Sequence, residues 1–155
     1  MQKKTHVLSV ESKYSLIGIR TNASMHKLAY YLNKDLNISL QRDIQDIYLI
    51  ENNTKAFFNV YTFYDDYREL NWSLVSNETK IYIESYQTTI FSNMTKLYKL
   101  SYLLPEFKTF NFLIKIEGLL KKKQKLILKI KDVFKIDLAS EINQDVIKSE
   151  NNLLF

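Results

Sequence analysis

The chain has no cysteine, a single proline, two glycines and two histidines in 155 residues. Without cysteine there is no disulfide, no thiolate metal site and no thiol nucleophile. With only Gly18 and Gly118 available, no G-x-G-x-x-G turn, P-loop or G-x-S-x-G elbow can be written, which excludes the usual backbone cradles for nucleotide phosphates. His6 and His26 are not an i,i+4 pair, so no zinc motif of ordinary spacing is present. Long apolar runs are missing too. Nowhere do about 18 apolar residues stand together, and no membrane span is predicted. The opening "MQKKTHVLSV" places two lysines before a brief apolar stretch and lacks the h-region of a secretory leader. Together these absences predict a protein that is not an enzyme, needs no cofactor or metal, and resides in the cytoplasm, a reducing compartment suited to a cysteine-free chain.

What remains is an ordinary globular composition, 46% hydrophobic and 25% charged, far from that of disordered chains. The length predicts one domain over residues 1–155, and no linker, repeat or low-complexity tract divides it. Lysines outnumber arginines 19 to 3, and Asn, Ile and Tyr are abundant, the coding bias of an AT-rich genome. The six N-x-S/T sequons, at Asn22, Asn37, Asn52, Asn71, Asn77 and Asn93, are read as products of that bias.

"YSLIGIRT" (14–21) predicts a first strand. Met25, Leu28, Ala29, Leu32 and Leu36 then recur at helical spacing, with Ser24 or Asn22 as N-cap. "LQRDIQDIYLI" (40–50) allows a strand toward its end or a helical turn. From Lys55 to Ile83 the pattern is β-rich, with a hairpin turning near Asp65–Tyr67 and "TKIYIESY" extending the meander. Ser85 to Thr95 is polar and without period, an irregular segment. "FNFLIKIEG" (110–118) alternates Phe110, Phe112, Ile114 and Ile116 with Asn111, Leu113, Lys115 and Glu117, predicting a strand with one apolar and one mostly polar face. Leu119, Leu126, Ile127, Ile130, Val133 and Phe134 predict one face of a second helix. A final strand in "FKIDLASEI" and a short helix from about Asn143 follow. The order is β-α-β, a hairpin meander, then β-α-β, which predicts an α+β fold with two main helices packed on one face of a mostly antiparallel sheet.

Pro105 cannot donate to a ladder and holds Leu104 extended, so "LLPE" is predicted to bend the chain into the strand 110–118. Gly118 lets it turn out again. The stretch "LPEFKTFNF" (104–112) resembles the nine-residue signature of the IPExxxVDY family, small proteins of Bacteroidota bacteria. Leu104 stands at the Ile position, Pro105 and Glu106 match, and Phe110, Asn111 and Phe112 stand at the Val, Asp and Tyr positions. "YSLIGIRT", "FYDDYRELNWSLVSN", "FLIKIEG" and "KSENNLLF" are similar in character, so the likeness spans nearly the whole chain. No activity is established for that family, and the resemblance implies a bacterial, cytoplasmic setting. Asn111 and Phe112 remove a carboxylate and a hydroxyl from the signature, which implies a structural role for it.

Two surface features remain. Residues 121–135 carry seven lysines against Asp132 alone, more positive charge than the net +5 of the chain. Lys121, Lys125 and Lys129 form a stripe opposite the apolar face, a candidate surface for RNA or another anion. The aromatics, 11 Tyr and 9 Phe, suit cross-strand packing and association surfaces. Asp65, Asp66 and Glu69 read as an acidic turn open to water, and Glu106 as a cap or lysine partner. Leu153, Leu154 and Phe155 are predicted to dock on the domain or on a partner. The resulting functional expectation is a non-catalytic accessory domain that binds another protein or itself; the alternative is RNA or ribosome association through the basic helix.

Overall fold

The structure, a computed structural model, describes residues 14–83 and 97–155. Strand β1 (Tyr14–Thr21) and helix α1 (Met25–Leu36) stand where the sequence predicts them. Met25, Leu28, Ala29 and Leu32 are the buried residues of α1, at the i, i+3, i+4 spacing of one face. Ser24 occupies the N-cap position, but its hydroxyl caps no amide and lies 3.4 Å from His26 Nε2. Asn37 ends the helix in the left-handed region, φ 53°, a conformation asparagine tolerates.

Within 40–50 the strand wins over the helical turn. Short β2 (Gln41–Arg42) is followed by β3 (Ile47–Glu51), which pairs with β4 (Thr54–Phe58). The two-residue turn between them is Asn52–Asn53, both at positive φ, the geometry of a type I′ hairpin. Strands β5 (Val60–Asp65) and β6 (Leu70–Ser76) form the expected hairpin. Strand β7 (Glu78–Tyr82) does not extend that meander. It pairs with β8 (Tyr98–Tyr102) in a separate hairpin, because both edges of β6 are already taken, one by β5 and one by β9 (Phe112–Glu117). The irregular segment expected at Ser85–Thr95 lies outside the described residues. Helix α2 (Lys123–Lys131) and strand β10 (Ile136–Ile142) complete the order. The short helix expected from Asn143 is a 3-10 turn, Gln144–Val146, capped by the Asn143 side chain, which accepts from the Asp145 amide at 3.1 Å.

Six strands make one sheet in the order β10-β1-β9-β6-β5-β2, with every neighbouring pair antiparallel. Both helices cover one face of it, as predicted. There Ile17, Ile19, Trp72, Leu74, Ile114 and Ile116 meet Leu28, Leu32, Ile127 and Ile130 in one core. A second core fills the other face, where Leu16, Val75 and Leu113 meet Phe58, Leu103, Leu104, Phe110 and Leu153. This second layer, built from the β3–β4 hairpin and irregular chain, corrects the expectation for β9. Its predicted polar face is not solvent-exposed: Leu113 is 0% and Lys115 only 5% exposed.

The apolar face of α2 holds for Ile127, Ile130 and Val133, which are buried. It fails for Leu119 and Phe134, both exposed. Both lie outside the helix, where its period no longer governs, whereas Val133, also past the last helical residue, stays in the closing turn through its amide bond to the Ile130 carbonyl (3.1 Å). Phe134 instead meets the Tyr31 ring edge-on at 5.1 Å. Among the described residues no helix is long and apolar enough to cross a membrane.

Candidate binding surfaces

Residues 104–112 form a structural clasp. Pro105 opens a 3-10 turn, Pro105–Phe107, after an extended Leu104. Leu104 is wholly buried, and Phe110 lies over Gly18 of β1. The Glu106 carboxylate accepts from the Lys148 and Ser149 amides at 2.7 and 2.8 Å and from the Ser149 hydroxyl at 3.0 Å. Burial works to raise its pKa, but those donors outweigh it and hold the carboxyl below its ordinary value. Asn111 uses both ends of its amide: Oδ1 accepts from the Thr21 amide (3.1 Å) and Nδ2 donates to the Thr21 carbonyl (2.7 Å). An aspartate could accept but not donate there. Phe112 packs into the helix-side core.

The hub of this clasp is a residue that sequence reasoning passed over. Asn77, between β6 and β7, is completely buried. Its backbone amide donates to the Asn111 carbonyl, and its own carbonyl accepts from Leu103. Its side chain accepts from the Leu104 amide at 2.8 Å and donates to the Phe107 and Phe110 carbonyls at 3.0 and 2.8 Å. The local signal was a sequon asparagine in a polar gap between strands, indistinguishable by sequence from the other sequons.

The acidic trio is not one open turn. Asp65 is buried and accepts from the Arg68 amide and guanidinium at 3.1 and 2.9 Å. Asp66 and Glu69 are exposed, and Glu69 has φ 54°. Among the described residues no cluster of His, Asp or Glu is placed to hold a metal ion.

The two small hairpins present an apolar outer face. In β3–β4, Ala56 and Phe58 point into the core, while Tyr48, Ile50 and Phe57 are exposed on the other side. In β7–β8, the cross-strand pairs Tyr82–Tyr98 and Lys80–Leu100 leave Tyr82, Tyr98 and Leu100 exposed. Lys55 and Lys80 each sit 4.4 Å from a tyrosine ring centre, Tyr48 and Tyr98 respectively. The hairpins are joined by Glu51, which accepts from the Ser101 hydroxyl and from Lys99 Nζ (3.0 Å). Those two bonds, Ser101 first, hold the Glu51 carboxyl below its ordinary value.

On the opposite, helical side lies a cleft of about 250 Å³. Its floor is apolar and includes Ile38, Leu70, Trp72 and Leu126, drawn from the end of α1, from β6 and from α2. Its rim carries Arg68, Lys121, Lys122, Lys125 and Lys129, and no carboxylate lines it. The structure thus gathers Lys121, Lys125 and Lys129 and adds two cations the stripe did not include. Lys122 holds a left-handed backbone, φ 59°, at the start of α2, whose first turn has no side-chain cap. Lys123 points elsewhere and pairs with Glu141. No model of a known protein family matches the chain, and no curated protein matches it.

Proposed function

We propose that this chain is a non-catalytic accessory protein of the cytoplasm that works by binding another protein or a second copy of itself. The observation that carries this is the outer face of the two hairpins. Having turned one side to the core, they still expose Tyr48, Ile50, Phe57, Tyr82, Tyr98 and Leu100. Contiguous apolar patches on a globular surface mark interaction sites, and aromatic residues are enriched in them. The absence of any recognisable catalytic motif in the sequence supports the same reading. Light scattering and capture from lysate test it with wild type and the Tyr48→Ser/Phe57→Ser variant. The expected result is a dimer or a retained partner for wild type, lost in the variant with melting close to wild type. A wild-type chain that is strictly monomeric and retains nothing overturns it.

A second reading is favoured by the lysine cleft: association with RNA. Phosphate contacts make affinity fall with salt, by about 0.7–0.9 in log slope for each phosphate neutralised. Binding of an unstructured RNA across a salt series should lose slope in the Lys121→Gln/Lys125→Gln/Lys129→Gln variant. An unchanged slope sinks this reading.

A further inference from the structure

From the cleft between α1, β6 and α2 we infer a specific ligand, a nucleoside phosphate, with its phosphates on the lysine rim and its base against the apolar floor. The inference rests on the anion reading of the same lysines and names what they hold.

Three observations converge on it. First, the charge is one-sided. The ammonium groups of Lys121, Lys122, Lys125 and Lys129 take part in no ion pair or hydrogen bond among the described residues, and of the rim cations Arg68 alone is partly engaged, by Asp65. Cations crowded together without carboxylates repel one another, and an anion with several oxygens relieves that repulsion. Second, the site is concave with an apolar floor, so the ligand must carry a body as well as a charge. At about 250 Å³ the cleft falls below the ~300–1,000 Å³ usual for drug-sized ligands. It suits one base, with the phosphates reaching the open rim, rather than a dinucleotide. Third, Trp72, which lines the cleft and is 2% exposed, has an Nε1 with no hydrogen-bond partner, alone among the buried side-chain polar atoms of the described residues. Buried donors are almost always paired. That nitrogen is enclosed, with essentially no surface open to the cleft, so a ligand reaches it only where a lining side chain gives way; a base then offers ring nitrogens and carbonyl oxygens as acceptors, whereas an acyl chain offers none.

The cradle differs from a glycine-rich loop because side chains, not backbone amides, hold the phosphates. That fits a chain with only two glycines.

Trp72 is the only tryptophan, so its fluorescence reports on the cleft directly. The probes are ATP, inorganic triphosphate and adenosine, with titration calorimetry beside the emission. ATP is expected to change Trp72 emission saturably and to bind at least tenfold more tightly than triphosphate or adenosine. Lys121→Gln/Lys125→Gln/Lys129→Gln should weaken ATP at least tenfold. Should that variant melt early, the single charge reversal Lys125→Glu serves instead. ATP that gives neither heat nor an emission change overturns the proposal, as does triphosphate binding equal to ATP.

Two RNAs of one sequence, with a 5′-triphosphate or a 5′-hydroxyl, separate the sources. A preference for the triphosphate end places the nucleotide on RNA. Equal binding alongside tight ATP binding makes it a free nucleotide. Salt-dependent binding of both RNAs without an ATP response leaves the RNA reading standing and removes this one.

Discussion

Gly18 shows how one missing side chain organises its surroundings. A Cβ built at Gly18 would stand 2.4 Å from the Phe110 ring, so the ring fills the space that any other residue in β1 would need. A glycine inside a strand weakens it, and an aromatic laid across the gap restores the packing. Gly18→Ala is therefore expected to destabilise the fold by about 1–3 kcal/mol through overpacking, read from urea unfolding. Phe110→Leu should recover part of that loss in the double variant, a coupling expected of residues in contact. A neutral Gly18→Ala would mean the ring yields freely. Gly118 is constrained differently, by φ +109° and by the Glu69 carbonyl 2.7 Å from its missing Cβ. Glu106 gives a second test at this scale. Its folded pKa lies below the ordinary carboxyl value of 4.5, so its stabilising effect is present above that value and lost as the pH falls through the folded pKa. Discounted for partial exposure, Glu106→Gln should cost about 1 kcal/mol at neutral pH, and the gap to wild type should close on acidification. Glu51 and Glu117 are depressed as well, so the difference between the two proteins, rather than either curve alone, isolates Glu106. A gap that stays constant with pH would mean the charge of Glu106 is irrelevant.

Among the elements, the segment 149–155 is a strap across the second core rather than a tail. Leu153 is buried, whereas Leu154 is 82% exposed, so the expected docking holds for Leu153, partly for Phe155, and not for Leu154. What fastens the strap is Lys115 of β9. Its Nζ donates to the backbone oxygens of Leu153 (2.9 Å) and Phe155 (3.0 Å) and pairs with Glu117 at 2.8 Å. Burial works to raise the Glu117 pKa, but the bonds from Lys115 and Asn71 outweigh it and lower it. Nearby, burial first and then Glu150 push the Tyr14 hydroxyl up to about 12. Removing Lys115 strands the Leu153 and Phe155 backbone oxygens, while Glu117, more than a third exposed, keeps water and Asn71 as partners, so Lys115→Ala should cost about 1–3 kcal/mol. Leu153→Ala should cost about 2–5 kcal/mol, and Leu154→Ala less than about 0.5 kcal/mol. Thermal melts of the three variants check this order. Equal effects at Leu153 and Leu154 would contradict the strap.

For the molecule as a whole, the sheet separates two surfaces. The hairpin face lies over the second core and the lysine cleft over the helical side, with the central strands between them. The two sets of variants should therefore act independently. Tyr48→Ser/Phe57→Ser should leave the ATP response of Trp72 intact, and the triple lysine variant should leave association intact. Both should unfold within about 1 kcal/mol of wild type, since the substituted side chains are exposed or half-exposed and the hairpin variant loses only the Tyr48–Phe57 cross-strand pair. Cross-effects between the two assays would show that the surfaces are coupled.

Much of this fold was legible in the order of residues. α1, the β5–β6 hairpin and β9 each carry a local period of two or 3.6, β1 shows β-branched and aromatic character, and the breakers Pro105 and Gly118 bound β9 as the chain implied. Local periodicity reports one side of an element and cannot show what a distant segment lays on the other. That is why Lys115 and Glu117 read as a polar face, although the strap buries Lys115; Asp65 read as an open turn for a different reason, a local bond to Arg68 three residues on that no period reports. Pairing across long intervals decided the rest. β9 claimed the edge of β6 and sent β7 to β8, and Asn77 became the buried hub of a clasp whose other members begin at Leu103. The lysine stripe was visible as charge, but the cleft was not. Its floor and rim come from residues 36–38, 68–72 and 120–129, and only packing α1 and α2 side by side on the sheet brings them together.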